Sequence, residues 1–191
     1  AADNWKDMEI CMGIVRKLHQ SGLTVDHSFD IRERIDFYER LCLQHGGIPF
    51  EDYEKVRGWM NELMDRLDQM DRPQCLCHID ANVDNFLMFE DGSAKLLDWE
   101  YAGMCDPVMD ISMSAIYSYY DAEQTEKLLE IYLKRKPSKE EYYSVFANAA
   151  LGGFLWCLWA VYKAALGEEF GEYTIIMYRY AKGYYKKLKA L

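Results

Sequence analysis

The sequence has 191 residues, half of them hydrophobic and 15% aromatic, a composition that excludes a disordered chain and suits one globular domain with its own core. A formal net charge of −10 argues against general nucleic-acid binding, which needs a basic face, and is compatible with a cationic ligand. The six cysteines lie scattered through apolar stretches without a CxxC pair, so reduced, buried thiols in a cytoplasmic protein are expected. Cys75 and Cys77 fall on an expected strand, where both would point to one face. Neither a signal peptide nor an apolar run long enough to span a bilayer is read. The chain opens at Ala1 rather than Met, inside a helical pattern, which reads as a processed or excised fragment.

In chain order, Asp3 or Asn4 can cap a first helix whose apolar positions Met8, Cys11, Ile14, Val15 and Leu18 recur at helical spacing, with an end near Gly22. A second helix is expected after Asp26–Asp30, with Ile35, Phe37, Tyr38, Leu41 and Cys42 inward and a stop at Gly46-Gly47. Pro49 opens a third with Tyr53, Val56, Met60, Leu63, Met64 and Leu67 as its buried stripe, broken at Asp71-Arg72-Pro73. A β-rich stretch from Cys75 to Leu97 follows. Asp106-Pro107 restarts helix, with Met109, Ile111, Met113, Ile116 and Tyr120 for the core. Asp121 with Gln124 and Ser138 with Glu141 are two capping boxes, the first helix ending at Lys134-Arg135-Lys136 and the second running to about Leu166. Gly167 and Gly171 precede a last helix whose Lys182, Lys186, Lys187 and Lys189 read as a solvated face. The fold class is mainly α with a small β-hairpin insert (α+β).

The chemistry concentrates between His78 and Glu100. Phe86–Phe89 and Ala94–Leu97 are apolar runs on either side of Asp91-Gly92, a strong two-residue hairpin turn. Such a turn would set Phe86 against Leu97 and Asn85 against Asp98, with Cβ atoms roughly 4.5–5.5 Å apart. Two oxygen donors at that separation can share one magnesium ion, whose bonds are about 2.0–2.1 Å. Phosphoryl transfer needs an oriented acceptor relieved of its proton and a metal to neutralise developing charge. Asp80 is then the base, Asn85 and Asp98 the metal ligands, and His78 a structural support for the loop through ring hydrogen bonds. Asp84 reads as a solvated loop residue. Trp156 and Trp159, three apart, share a helix face. By spacing alone, core packing and a wall for a cation stand even. Gly152-Gly153 just upstream hint at close approach by something other than a side chain of their own.

His78-x-Asp80-x-x-x-x-Asn85 followed by Asp98-Trp99 resembles the catalytic and metal-binding loops of the kinase-like phosphotransferases. Protein kinases fit badly, since Asn82 stands where they carry Lys and Glu100 where they carry Gly. The choline kinase family resembles it more closely: Leu96-Leu-Asp-Trp-Glu-Tyr-Ala-Gly-Met-x-Asp-Pro-x-x-Asp-Ile111 is similar to its second motif, and Phe154-Leu-Trp-Cys-Leu-Trp159 with Glu169-Phe170-Gly171 to its choline-pocket helix. With the Leu18-His19 helix included, the likeness covers nearly the whole chain and is nearest in detail to bacterial members that supply phosphocholine to cell-surface glycans. The resemblance implies a kinase-like, two-lobed enzyme that uses ATP and Mg2+. Residues 1–191 would be its C-terminal, helical lobe as a single domain. A nucleotide-binding lobe is expected to precede them, and the chain alone is expected to be inactive.

The same resemblance implies that Trp156 and Trp159 meet the quaternary ammonium of choline, with Tyr173 as a further wall and Glu100 supplying negative charge. Ethanolamine, an aminoglycoside, or a non-catalytic choline-binding role are the alternatives. The tryptophan pair argues against an aminoglycoside, whose sites favour clustered carboxylates. Oligomeric state is left open.

Overall fold

Several helices begin where the sequence places a side-chain cap, whereas α3, α4 and α7 begin without one. In the computed structural model, which describes residues 4–190, the helices are α1 (Trp5–His19), α2 (Ile31–Gln44), α3 (Tyr53–Asp68), α4 (Val108–Tyr117), α5 (Ala122–Leu133), α6 (Lys139–Ala165) and α7 (Tyr173–Lys189). The strands are β1 (Cys75–Cys77), β2 (Phe86–Met88), β3 (Ala94–Leu96) and β4 (Gly103–Cys105). The Asn4 side chain accepts from Lys6 N, and Asp30 accepts from Arg32 N and Glu33 N. Both expected capping boxes form, at Asp121/Gln124 and at Ser138/Glu141. Asp3 lies outside the described residues.

Contacts gather into two compact units, one taking the chain up to Phe29 together with Arg72–Asn148, the other Asp30–Asp71 and the chain from Ala149 onward. In the first unit α5 packs on α1 and α4, and α1 also meets β1. Its core holds Met8, Met12 and Val15 from α1, Ile111, Met113 and Ile116 from α4, and Leu128 and Leu129 from α5. In the second, α3 packs against α7. The expected α3 stripe from Tyr53 to Leu67 is buried throughout, with Trp59 stacked on Tyr185 at 4.5 Å and Phe154 of α6 5.7 Å from Tyr53.

Several expectations need correction. Phe37 is 43% exposed, because two residues turn about 200° around a helix and carry it away from Ile35. The basic face of α7 is partly paired: Lys182 and the Tyr178 hydroxyl both bond Asp52, and Lys189 bonds Glu62. Helix α6 is long and apolar enough to cross a membrane by length and composition, contrary to the sequence reading. Almost all of its apolar window is buried inside the protein, as in a core helix.

The β-rich segment forms two separate two-stranded antiparallel sheets, β1 with β4 and β2 with β3. Strand β4 went unread, since Gly103-Met104-Cys105 is too short to show a period. Gly103 is needed there: a Cβ would stand 3.0 Å from Phe29 N, where Phe29 and His27 add a backbone ladder to Met104.

The β2–β3 register is also one residue off the expected one, with Phe86 opposite Leu96 and Met88 opposite Ala94. The loop is three residues long, Glu90–Gly92, closed by Phe89 N to Ser93 O at 2.9 Å and Gly92 N to Phe89 O at 3.0 Å. A two-residue type I′ turn needs positive φ at both central residues, whereas here only Gly92 (φ +78°) has it. Asp91 favours the longer loop through Oδ1, which accepts from Ser93 N and Oγ at 2.9 and 2.6 Å.

Candidate active site

The loop after β1 is held by a carboxylate to which the sequence analysis gives no role beyond its place in the second motif. Asp110, fully buried on α4, accepts from His78 N at 2.9 Å and from Ile79 N at 2.6 Å. Ile79 has φ +71°, a left-handed conformation that costs a β-branched residue of order 1–3 kcal/mol and persists only where surroundings enforce it. The two hydrogen bonds to one carboxylate provide that enforcement. Ser114 Oγ donates to Ala81 O two residues further on. The bend places Asp80 beyond the strand end, half-buried.

Both oxygens of Asp80 are engaged. Asn82 Nδ2 donates to Oδ1 at 3.0 Å and Asn85 Nδ2 to Oδ2 at 2.8 Å, with a second bond from Asn85 Nδ2 to Asp80 O. Asn82 also works in the other direction. Its Oδ1 accepts from Asp84 N and Asn85 N and so caps the 3-10 turn Val83–Asn85 that carries Asn85. One amide side chain therefore fixes both the Asp80 carboxylate and the turn bearing its partner Asn85. The sequence reading treated Asn82 only as a departure from protein kinases.

The loop is tied to the hairpin through Leu97. Leu97 N donates to Asn85 O at 2.9 Å, and His78 Nε2 donates to Leu97 O at 2.8 Å. His78 is buried, meets Trp99 edge-on at 4.7 Å, and leaves Nδ1 without a hydrogen-bond partner among the described residues. The one-residue shift means that Asn85 faces Leu97, not Asp98, so the two are not a directly opposed pair. Asp98 follows with φ +60° and an exposed side chain.

The donor set still fits a hard cation. Because Asn85 Nδ2 is spent on Asp80, its Oδ1 remains available. It and the Asp98 carboxylate accept no hydrogen bond among the described residues, and oxygen donors of this kind suit magnesium. Glu100 is exposed on the turn closed by Ala102 N to Trp99 O.

The second unit brings the predicted aromatic residues together by itself. Trp156 and Trp159 meet edge to face at 6.0 Å, Phe170 lies 4.8 Å from Trp159, and Tyr173 lies 6.3 Å from Phe170. Trp156 is buried, whereas Trp159, Phe170 and Tyr173 are half-buried. Trp159 already carries the Lys163 ammonium 5.9 Å from its ring centroid. The glycine hint has a different cause from the one supposed: a Cβ on Gly153 would stand 2.8 Å from Met177 O, so what approaches closely is α7.

Residues 8–144 match the family profile of the phosphotransferase enzyme family (APH). Protein LicA of Haemophilus influenzae is 32% identical over 167 residues, a match that covers 83% of this chain and 61% of LicA. The crystal structure of choline kinase LicA from Streptococcus pneumoniae superposes with a TM-score of 0.82 at 30% identity, covering 95% of this chain and 63% of that one. A choline/ethanolamine kinase family protein from Mesorhizobium loti gives 0.78 at 26% identity, with 96% and 61% covered. The chain thus spans about three fifths of the length of these relatives. By its profile, its motif-bearing loop and its kinase-like fold, it belongs to the phosphotransferase enzyme family.

Proposed function

We propose that this chain is the acceptor-activating lobe of a choline kinase-like phosphotransferase that moves the γ-phosphoryl group of ATP to the hydroxyl of choline. The observation that carries the reading is the Asp80 carboxylate, oriented through one amide N–H on each oxygen yet still half-exposed. As the acceptor oxygen bonds to the γ-phosphorus and the bond to the departing ADP oxygen breaks, the hydroxyl proton passes to Asp80. Asn82 and Asn85 keep the carboxylate in one rotamer while this happens. Asn85 Oδ1 and Asp98 would hold magnesium, which when bound neutralises charge on the phosphate oxygens. A quaternary ammonium cannot donate a hydrogen bond, so Trp159, Phe170 and Tyr173 are suited to bind it through ring faces, Trp156 backing them, at roughly 0.5–2 kcal/mol per ring. Glu100 adds negative charge for a cationic acceptor. A cytoplasmic setting belongs to the same reading and agrees with six free thiols.

The relatives' greater length supports a further lobe for the nucleotide, and the chain by itself is then expected to turn over negligibly. The test uses the full-length enzyme, with choline-dependent ADP release and calorimetry of choline, ethanolamine and an aminoglycoside. Asp80→Asn should lower turnover about 10²–10⁴-fold with choline affinity kept. Trp159→Ala should weaken choline more than ethanolamine. Unchanged turnover in the first variant removes Asp80 as base, and unchanged choline affinity in the second assigns Trp159 to packing.

A further inference from the structure

We propose that His19, Cys75 and Cys77 form a metal site for zinc, separate from the hard-oxygen site at Asn85 and Asp98. All three belong to the first unit, and their ligand atoms lie within 4.8 Å of one another. Strand geometry puts the two thiols on one face, with Sγ atoms 3.7 Å apart. On tetrahedral zinc with Zn–S bonds of about 2.3 Å, two thiolates stand about 3.8 Å apart, so the pair is already at ligand spacing. A disulfide suits it less well. Residues two apart on a strand have Cα atoms about 6.6–6.8 Å apart, at the far limit of what a disulfide spans.

The surroundings of His19 add an independent argument. Its Nε2 lies 2.9 Å from Asp110 Oδ2, its Nδ1 lies 2.8 Å from the Tyr132 hydroxyl, and its side chain is 3% exposed. A metal-binding histidine almost always donates its second ring N–H to a carboxylate or carbonyl. Asp110 fills that role at Nε2, which leaves Nδ1 to exchange the Tyr132 hydroxyl for the ion. Binding converts two thiols to thiolates and releases two protons to solvent, so the dication meets two negative charges and one neutral imidazole. A water completes the tetrahedron. The site lies on the route to the catalytic loop, because Asp110 also holds His78 N and Ile79 N. An ion on His19 would fix the tautomer that faces Asp110 and so hold the bend before Asp80. The inference does not depend on what the loop phosphorylates.

The test uses the full chain, chelator-treated and kept reduced, titrated with zinc alone and then with cobalt(II) as a spectroscopic stand-in. One equivalent of zinc should bind, with about two protons released in buffers of different ionisation enthalpy. Saturation should raise Tm by about 5 °C, and cobalt should give a thiolate charge-transfer band. Cys75→Ser, at a half-buried position, should abolish the band and the Tm shift. His19→Gln should weaken both, and Cys11→Ala should leave both intact. Absence of stoichiometric binding, or binding that survives Cys75→Ser with the cobalt band unchanged, overturns the site. Either result leaves the reading of Asp80 untouched, since that rests on turnover.

Discussion

Asp110 shows what a single buried carboxylate does for the loop that carries Asp80. Fully buried carboxylates are rare unless every oxygen is engaged, and this one takes His78 N, Ile79 N and the His19 ring. Asp110→Asn keeps the shape but turns a donor toward one of those N–H groups, leaving an unsatisfied pair beside a strained Ile79. A loss of about 3 kcal/mol is expected in urea unfolding, and a change under about 1 kcal/mol would mean that the loop is held elsewhere. Asp110 was partly legible: a carboxylate between Met109 and Ile111 on an apolar helix must have a partner. What the sequence does not disclose is that two of its partners are backbone N–H groups some thirty positions away. Asp80 and Asn85 stand out by type and spacing, and the structure joins them by a hydrogen bond, whereas Asp98 is not opposite Asn85 as the expected register had it. Asn82 does not stand out, because its role is hydrogen bonding within the loop and any short polar residue reads alike.

Most helix boundaries were legible, since caps and breakers act within four residues, but α3 begins at Tyr53 and not at the expected Pro49. Register was harder. Asp91-Gly92 is compatible with a two- or a three-residue loop, and the choice rests on hydrogen bonds from Ser93 to the Asp91 carboxylate that no hydrophobic pattern encodes. Two predictions belong at this scale. In α6, Gly153→Ala gains about 1 kcal/mol of helix propensity but drives a methyl into Met177 O and Tyr180 Cβ, both 2.8 Å away. Overpacking against backbone costs about 1–3 kcal/mol, so the substitution should lower Tm. Gly58→Ala in α3, with nothing within 4 Å, should raise it, and thermal melts of the two variants compare the effects directly.

The other prediction concerns the start of α6. There the hydrogen bond from Arg135, outweighing burial and helped by Ser138 N, lowers Glu141 from 4.5 to about 2. A depressed folded-state pKa stabilises above the unfolded value and is lost as pH falls through the folded one. The contribution should therefore be complete above pH 4.5 and gone near pH 2. Arg135 is more than half exposed, and solvent screening keeps the effect small. Arg135→Ala should lower stability in urea at pH 7 and leave it almost unchanged near pH 2; an equal cost at both would show that charge is not the cause.

At the scale of the whole molecule, the chain passes between its two units three times, after Phe29, after Asp71 and after Asn148. Neither unit is a continuous stretch of sequence, and no single cut releases one intact. Periodicity could not reveal this, because it reports which face of a helix is buried and not which helix covers it. Family resemblance supplied what the pattern lacked, namely a kinase-like fold for the helices and small sheets of the described residues.

The pairing of α3 with α7 places its own demand on synthesis. More than a hundred residues separate these helices, and Val56, Met60, Leu63, Met64 and Leu67 are buried in the finished protein. At about 5–20 residues per second, the ribosome delivers α7 roughly 5–20 s after α3. For that interval five large apolar side chains on the nascent chain lack their final cover, which makes residues 53–68 the natural landing place for a chaperone.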